Sequence, residues 1–266
     1  MLLKTGRTGA EVEALQHQLA TLGYDVAVDG VYGSGTARAV TAFQRDAGLL
    51  PDGIAGKNTL AALGADVDPK SLTDDDIAQA ATGLGVDAAS VRALLRVESR
   101  GEGFLRNGAP IILFERHIMW RELEGRGIDP EPWSEKYPDL VNQVPGGYQG
   151  GQKEIERLNR ARNINSSAAI SSASWGLFQV MGMHWDYLDY ASPQHYEAAM
   201  YVDSAHQLDA FCRYIKADPT LHQGLEHHDW HTVARLYNGP AYEKNQYAAR
   251  LERAYDNFTQ AAAAGV

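Results

Sequence analysis

The stretch Asp87-Ala88-Ala89-Ser90-Val91-Arg92-Ala93-Leu94-Leu95-Arg96-Val97-Glu98-Ser99-Arg100-Gly101 decides how the larger part of this chain is read. Asp87 is suited to cap a helix, and Val91, Leu94, Leu95 and Glu98 follow at i, i+3, i+4 and i+7. One helical face is therefore apolar apart from a carboxylate in the last turn before Gly101. Desolvation and the negative end of the helix dipole both disfavour the ionised form there, so the pKa of Glu98 is expected to rise. A carboxyl still protonated near neutral pH can donate to a poor alkoxide leaving group, which is what cleaving a glycosidic bond requires. A structural Glu98 paired with Arg96, Arg100 or another cation satisfies the same stripe. Arg92 and Arg96 lie off the apolar face.

Downstream, Pro110-Ile111-Ile112-Leu113-Phe114-Glu115-Arg116-His117 places four apolar residues before a second carboxylate. This reads as a short buried strand or helix start that delivers Glu115 from the core to an edge. Glu115 in that position can orient water, act as nucleophile or stabilise an oxocarbenium-like transition state. A plain pair with Arg116 or His117 also accounts for it. Beyond it the chain is mainly helical, with stripes Leu208/Phe211/Cys212/Ile215, Trp230/Val233/Ala234/Tyr237 and Leu251/Ala254/Tyr255/Phe258. Gly125 to Gly151, rich in Gly and Pro, reads as a long surface excursion. No βαβ alternation appears, and a mainly α or α+β domain is predicted.

Upstream, Asp29-Gly30-Val31-Tyr32-Gly33-Ser34-Gly35-Thr36 recurs as Asp52-Gly53-Ile54-Ala55-Gly56-Lys57-Asn58-Thr59, both copies reading Asp-Gly-apolar-x-Gly-x-x-Thr. Each is a turn that needs positive φ followed by a helix start. Thr8 and Glu11 have capping-box spacing ahead of Val12, Leu15 and Leu19. Thr36, Val40 and Phe43 continue a second helix, and Thr59 to Leu63 a brief third. Residues 1–65 thus form a small three-helix domain, 66–72 a linker, and 73–266 a second domain whose first helix is capped by Thr73 with acidic Asp74–Asp76.

Charge and cysteine usage narrow the functions. Net charge is −10, and residues 1–65 carry five basic and six acidic side chains, leaving 19 against 28 in the remainder. So acidic a region has no electrostatic reason to bind nucleic acid or anionic lipid. The single cysteine, Cys212, excludes an internal disulfide and a multi-cysteine zinc site; on its apolar stripe it reads as a buried inert thiol. His222, His227, His228 and His231 cluster in sequence, but neither His-Glu-x-x-His nor its inverse is present, so no metal and no cofactor is expected. Met1 to Leu22 lacks the apolar core of a secretory signal, and no run approaches the ~20 residues of a membrane span. A cytoplasmic start, no stable membrane association and a monomer are expected.

Several longer blocks carry a resemblance. Val12-x-x-Leu15-Gln16, Leu19, Gly23-Tyr24, Asp29-Gly30, Phe43-Gln44, Gly48-Leu49 and Asp52-Gly53-Ile54 resemble the peptidoglycan-binding three-helix domain found beside wall hydrolases, over about residues 2–63. Val97-Glu98-Ser99-Arg100-Gly101-Glu102-Gly103-Phe104, Ile112 to His117, Ser171 to Gly182 with Trp175-Gly176-Leu177-Phe178-Gln179, and Ala234-Arg235-Leu236-Tyr237-Asn238-Gly239-Pro240-x-Tyr242 resemble the N-acetylmuramidase domain of modular phage endolysins, over roughly 75–260. The order Glu-Ser, Gly-Leu-Phe-Gln, Tyr-Asn-Gly is also similar to goose-type lysozymes and lytic transglycosylases. This implies a lysozyme-like fold, Glu98 as helix-terminal acid, Glu115 as second acidic position, Gln179 lining the cleft, and Tyr237 with Asn238 supporting the acid and the acetamido sugar. Where the pattern commonly has an acidic residue three before Gln207, this chain has Ser204, with Asp203 adjacent.

Among the aromatics, Trp175, Phe178, Tyr237, Tyr242 and Tyr247 can offer flat faces to sugar rings. Trp175, in its Ser- and Gly-rich setting, favours the cleft, whereas Tyr237 fits cleft and core equally. The expected activity is hydrolysis of the β-1,4 bond between N-acetylmuramic acid and N-acetylglucosamine in peptidoglycan glycan strands. The small domain would act by holding the enzyme on its insoluble polymer, and a separate membrane-permeabilising, holin-type protein would release it to the wall. The rivals are a lytic transglycosylase on the same bond, an inactive wall-binding protein and a zinc peptidase cutting the peptide stems.

Overall fold

The computed structural model describes residues 2–64, 70–98, 102–239, 243 and 245–263. Most of the expected linker, Tyr242 and the side chain of Asn238 lie outside the described residues. The chain forms two compact units, Met1–Gly101 with Asp218–Val266, and Glu102–Ala217. Both are helical, and the second also holds a small antiparallel sheet.

The first unit begins with α1 (Ala10–Thr21), α2 (Ser34–Asp46) and α3 (Lys57–Ala62) around Leu3, Val12, Leu15, Leu19, Tyr32, Val40, Phe43 and Leu60. The sequence repeat is a repeated polar device. Gln16 Oε1 accepts the N–H groups of Asp29 and Gly30, while its Nε2 donates to Asp29 Oδ1, Val31 O and Thr36 Oγ1 at 2.9–3.0 Å. Gln44 repeats this with the Gly53 N–H, Asp52 Oδ1, Ile54 O and Thr59 Oγ1. Gly53 is required twice over: its φ is +66°, and a Cβ there would lie 2.8 Å from Thr41 Oγ1. Thr8 does not cap α1 as its spacing suggested. Its backbone is taken by a bridge to Val31, so the helix starts after Gly9 with no side-chain cap.

Next come α4 (Asp74–Leu84) and α5 (Ala88–Glu98). Thr73 and Asp76 form the full capping box on α4, and Asp87 Oδ1 accepts the Ser90 N–H at 2.7 Å to start α5. The unit is completed by α12 (Pro219–Glu226), α13 (Trp230–Asn238) and α14 (Tyr247–Ala263), the last packed along α5. Arg92, off the apolar stripe as its position dictated, is nevertheless buried, because Asp52 and Asp74 pair with it at 2.9 and 2.8 Å.

In the second unit, β1 (Ile112–Phe114), β2 (Ala173–Trp175) and β3 (Val180–Met181) form an antiparallel sheet in that order, with Ile112 opposite Trp175 and Trp175 opposite Val180. Around it lie α6 (Arg116–Gly125), α7 (Glu131–Lys136), α8 (Gln152–Arg162), α9 (Ser166–Ser171), α10 (Pro193–Val202) and α11 (Ser204–Ala217). The excursion read from Gly125 to Gly151 contains α7 and buries Leu140 and Val141. The Arg116 guanidinium braces it by donating to the carbonyls of Val144, Pro138 and Pro145. Cys212 is buried in α11, where desolvation pushes its thiol up to about 12. Asp203 accepts the His206 N–H and so caps α11, while Ser204 is buried.

Candidate active site

Glu98 closes α5 on the buried face that its spacing predicts, beside Val91, Leu94 and Leu95. The residue keeps some exposed surface, but Oε1 is sealed from solvent with no hydrogen-bond partner among the described residues. Burial raises its pKa from 4.5 to about 8, and the Arg250 guanidinium only partly opposes this. A carboxyl in that state is protonated at neutral pH and has a proton to give. In the same unit Tyr237 is half-buried near the end of α13, and Tyr247 is buried, its hydroxyl without a hydrogen-bond partner among the described residues. His222 Nε2 bonds Leu84 O at 2.7 Å and His228 Nε2 bonds Ser90 Oγ at 3.2 Å, so these two histidines brace helices. Among the described residues no three His, Cys, Asp or Glu side chains gather as a metal site.

In the second unit Glu115 follows β1 directly and stands at the N-terminus of α6, with its backbone N–H bonded to Ser172 O at 2.8 Å. Tyr148 Oη donates towards both carboxylate oxygens at 2.9 Å. Burial, then the Glu115 carboxylate, raise the Tyr148 pKa, so the phenol stays a donor. His117 Nδ1 lies 3.2 Å from Glu115 Oε2 without the alignment of a hydrogen bond.

Beneath them Glu154 and Arg157 of α8 form a buried pair at 2.7 Å. Glu154 accepts the N–H groups of Phe114, Gln149 and Gly150, and Arg157 Nη1 donates to Phe114 O at 3.0 Å. Burial works to raise the Glu154 pKa, but those bonds and Arg157 outweigh it and lower the value. This pair therefore fixes the residues just before Glu115 and just after Tyr148.

The segment between β2 and β3 is built around two glutamines. Gln179, at φ +54°, donates from Nε2 to Gly176 O and Ile111 O and accepts from Ser174 Oγ at 2.9 Å. Gln207 Oε1 accepts the Leu177 N–H at 2.8 Å, and its Nε2 donates to Gly103 O and Met200 O. A Cβ on Gly103 or Gly176 would fall 2.1 or 2.4 Å from the Gln207 amide, which is why both are glycine. Trp175 corrects the expectation of a sugar platform. It is 1% exposed, its Nε1 donates to Ile170 O and its ring packs edge-on against Tyr196, because every side chain of β2 points into packed protein. Phe178 is likewise buried, stacked on Phe211.

Tyr148, Glu154, Arg157 and the clamping role of Gln207 were not singled out in the sequence. The pattern that found Glu98 also marks the buried pair, since Glu154, Arg157, Leu158 and Ala161 share one face of α8. Tyr148 leaves no comparable signal, being one exposed aromatic in a Gly-rich stretch.

A mainly helical chain with a three-stranded antiparallel sheet, a protonated helix-terminal carboxyl and a second, hydrogen-bonded carboxylate defines a lysozyme-like class of protein. Comparison with known proteins narrows this. The chain belongs to the N-acetylmuramidase family, which it matches over residues 87–259, and residues 8–63 match the peptidoglycan binding domain family. The crystal structure of the Burkholderia AP3 phage endolysin is similar over 98% of this chain and 100% of that one, at 45% identity and a TM-score of 0.83. The N-acetylmuramoyl-L-alanine amidase CwlL of Bacillus licheniformis is 43% identical over 70 residues, and a probable amidase of the same organism 40% over 68. Each of those matches spans 24% of this chain and 19% of the relative.

Proposed function

We propose that the protein is an endolysin-type muramidase that hydrolyses the β-1,4 bond between N-acetylmuramic acid and N-acetylglucosamine in peptidoglycan. Glu98 is the general acid, giving its proton to the departing glycosidic oxygen. Glu115, oriented by Tyr148, is the assisting carboxylate. Gln179 shapes the β2–β3 segment, and Tyr237, Asn238 and Tyr242 complete the sugar contacts. The observation that carries this reading is the buried Glu98 Oε1, without a hydrogen-bond partner among the described residues, in a carboxyl whose pKa of about 8 suits an acid catalyst. The family match over residues 87–259 supports it.

The domain at residues 8–63 retains the enzyme on the wall, and the protein works as a monomer. No helix among the described residues is long and apolar enough to cross a membrane. Access to the wall comes through a separate membrane-permeabilising protein. Mass spectrometry of digested sacculi tests the reaction. New reducing muramic ends are expected; anhydro ends would make it a transglycosylase, and severed stem peptides a peptidase.

A further inference from the structure

We infer that the wall-binding domain is also a working part of the catalytic unit, with Lys4 as a positioning residue that holds the last turn of α5, and through it Glu98, in place. Lys4 Nζ donates to Arg96 O at 2.9 Å and Leu95 O at 3.4 Å. Both belong to the last four carbonyls of α5, for which a helix provides no partner of its own. A donor carrying positive charge is the favourable occupant at that end of the dipole.

Lys4 is held on a firm base. Its neighbour Leu3 sits in the small domain's core and exchanges two backbone hydrogen bonds with Ala55, at 2.9 and 3.1 Å. From the same place Ile54 packs with Ala93, Ala254 and Phe258, and Asp52 Oδ2 takes the Arg92 guanidinium. Two segments of the small domain thus grip α5 at Arg92, Ala93, Leu95 and Arg96, within two turns of Glu98.

The internal repeat sharpens this point. Asp29 and Asp52 each use one carboxylate oxygen to receive the amide of the repeat's own glutamine. Asp29 is exposed, whereas the Asp52 side chain is only 6% exposed, with its second oxygen on Arg92. One copy of a duplicated device has been turned to the enzyme helix. A tether acting only through effective concentration needs none of these contacts. Burial, with repulsion from Arg96, Arg7 and Arg250, lowers the Lys4 pKa to about 8, so the position is held against an electrostatic penalty.

This inference rests on Glu98 being the acid, and the test separates the two. Full-length enzyme is assayed on short soluble glycan chains, which need no wall anchoring, with kcat and KM measured per folded molecule. Lys4→Met should lower kcat about 10-fold, the scale of a small misplacement of a reacting group. KM should change less than about twofold, and retention on sacculi should be unaltered. Lys4→Arg, which keeps charge and donors, should restore most of the loss. Should Lys4→Met fail to fold, Lys4→Gln replaces it, with an intermediate kcat expected. Wild-type kcat in the neutral variant, or equal loss in Lys4→Met and Lys4→Arg, overturns the positioning role. Full turnover by Glu98→Gln would instead overturn the assignment of the acid, whatever the Lys4 variants do.

Discussion

Replacing Glu98 by Gln should make the protein inactive and, at neutral pH, more stable. Glu98 titrates near 4.5 when unfolded and at about 8 in the folded protein. Between those values the folded state holds a proton that the unfolded state has released, so stability is lost as pH rises through this window. At pH 7 the accumulated loss is about 3 kcal/mol, from 1.36 kcal/mol per pH unit over the ~2.5 units between 4.5 and 7. Gln keeps the shape and carries no such dependence. Thermal unfolding of both proteins across pH 4 to 7 isolates this one group, because every other titration cancels in the difference. Relative to wild type, the Tm of Glu98→Gln should rise by roughly 6–12 °C from pH 4 to pH 7, taking 2–4 °C per kcal/mol for a chain of this size. Release of reducing ends from sacculi should fall at least ~10²-fold over the same range. A Tm difference that stays flat with pH would refute the raised pKa, and with it the physical argument for Glu98 as the acid.

Tyr148→Phe should reduce kcat about 10-fold by freeing the Glu115 carboxylate, with far less effect in a Glu115→Gln background; additive losses would show that the two act separately. Trp175→Ala should destabilise the fold by about 3–5 kcal/mol, the range for truncating a buried aromatic. A stable Trp175→Ala with a raised KM would return that ring to the substrate. Lysis should survive extensive EDTA treatment, and loss on chelation with recovery on adding zinc would reopen the histidine cluster as a site.

Most of the helices and the place of Glu98 on the buried face of α5 were legible in the sequence, because each depends on order along one element. A helix periodicity of 3.6 places Glu98 among Val91, Leu94 and Leu95 wherever α5 packs. The repeat similarly announces two turns, since Asp-Gly-x-x-Gly needs only its own backbone and a nearby glutamine. Glu115 at the end of an apolar run is the same kind of local fact.

Contacts between segments distant in sequence were decided elsewhere. Whether Trp175 meets a sugar or Tyr196 depends on what covers β2, which its neighbours in sequence do not specify. Tyr148 reaches Glu115 because Glu154 and Arg157 fold the Gly-rich stretch back onto β1. Residues that read as a detachable wall anchor came to hold Arg92 and cap the helix of Glu98. Which residues share a face and which turns form follows from the order of residues along the chain, since bond geometry within a few residues sets both. Tertiary structure alone decided which faces meet and how deeply a carboxyl is sealed, because burial and desolvation belong to the packed assembly and to no single segment.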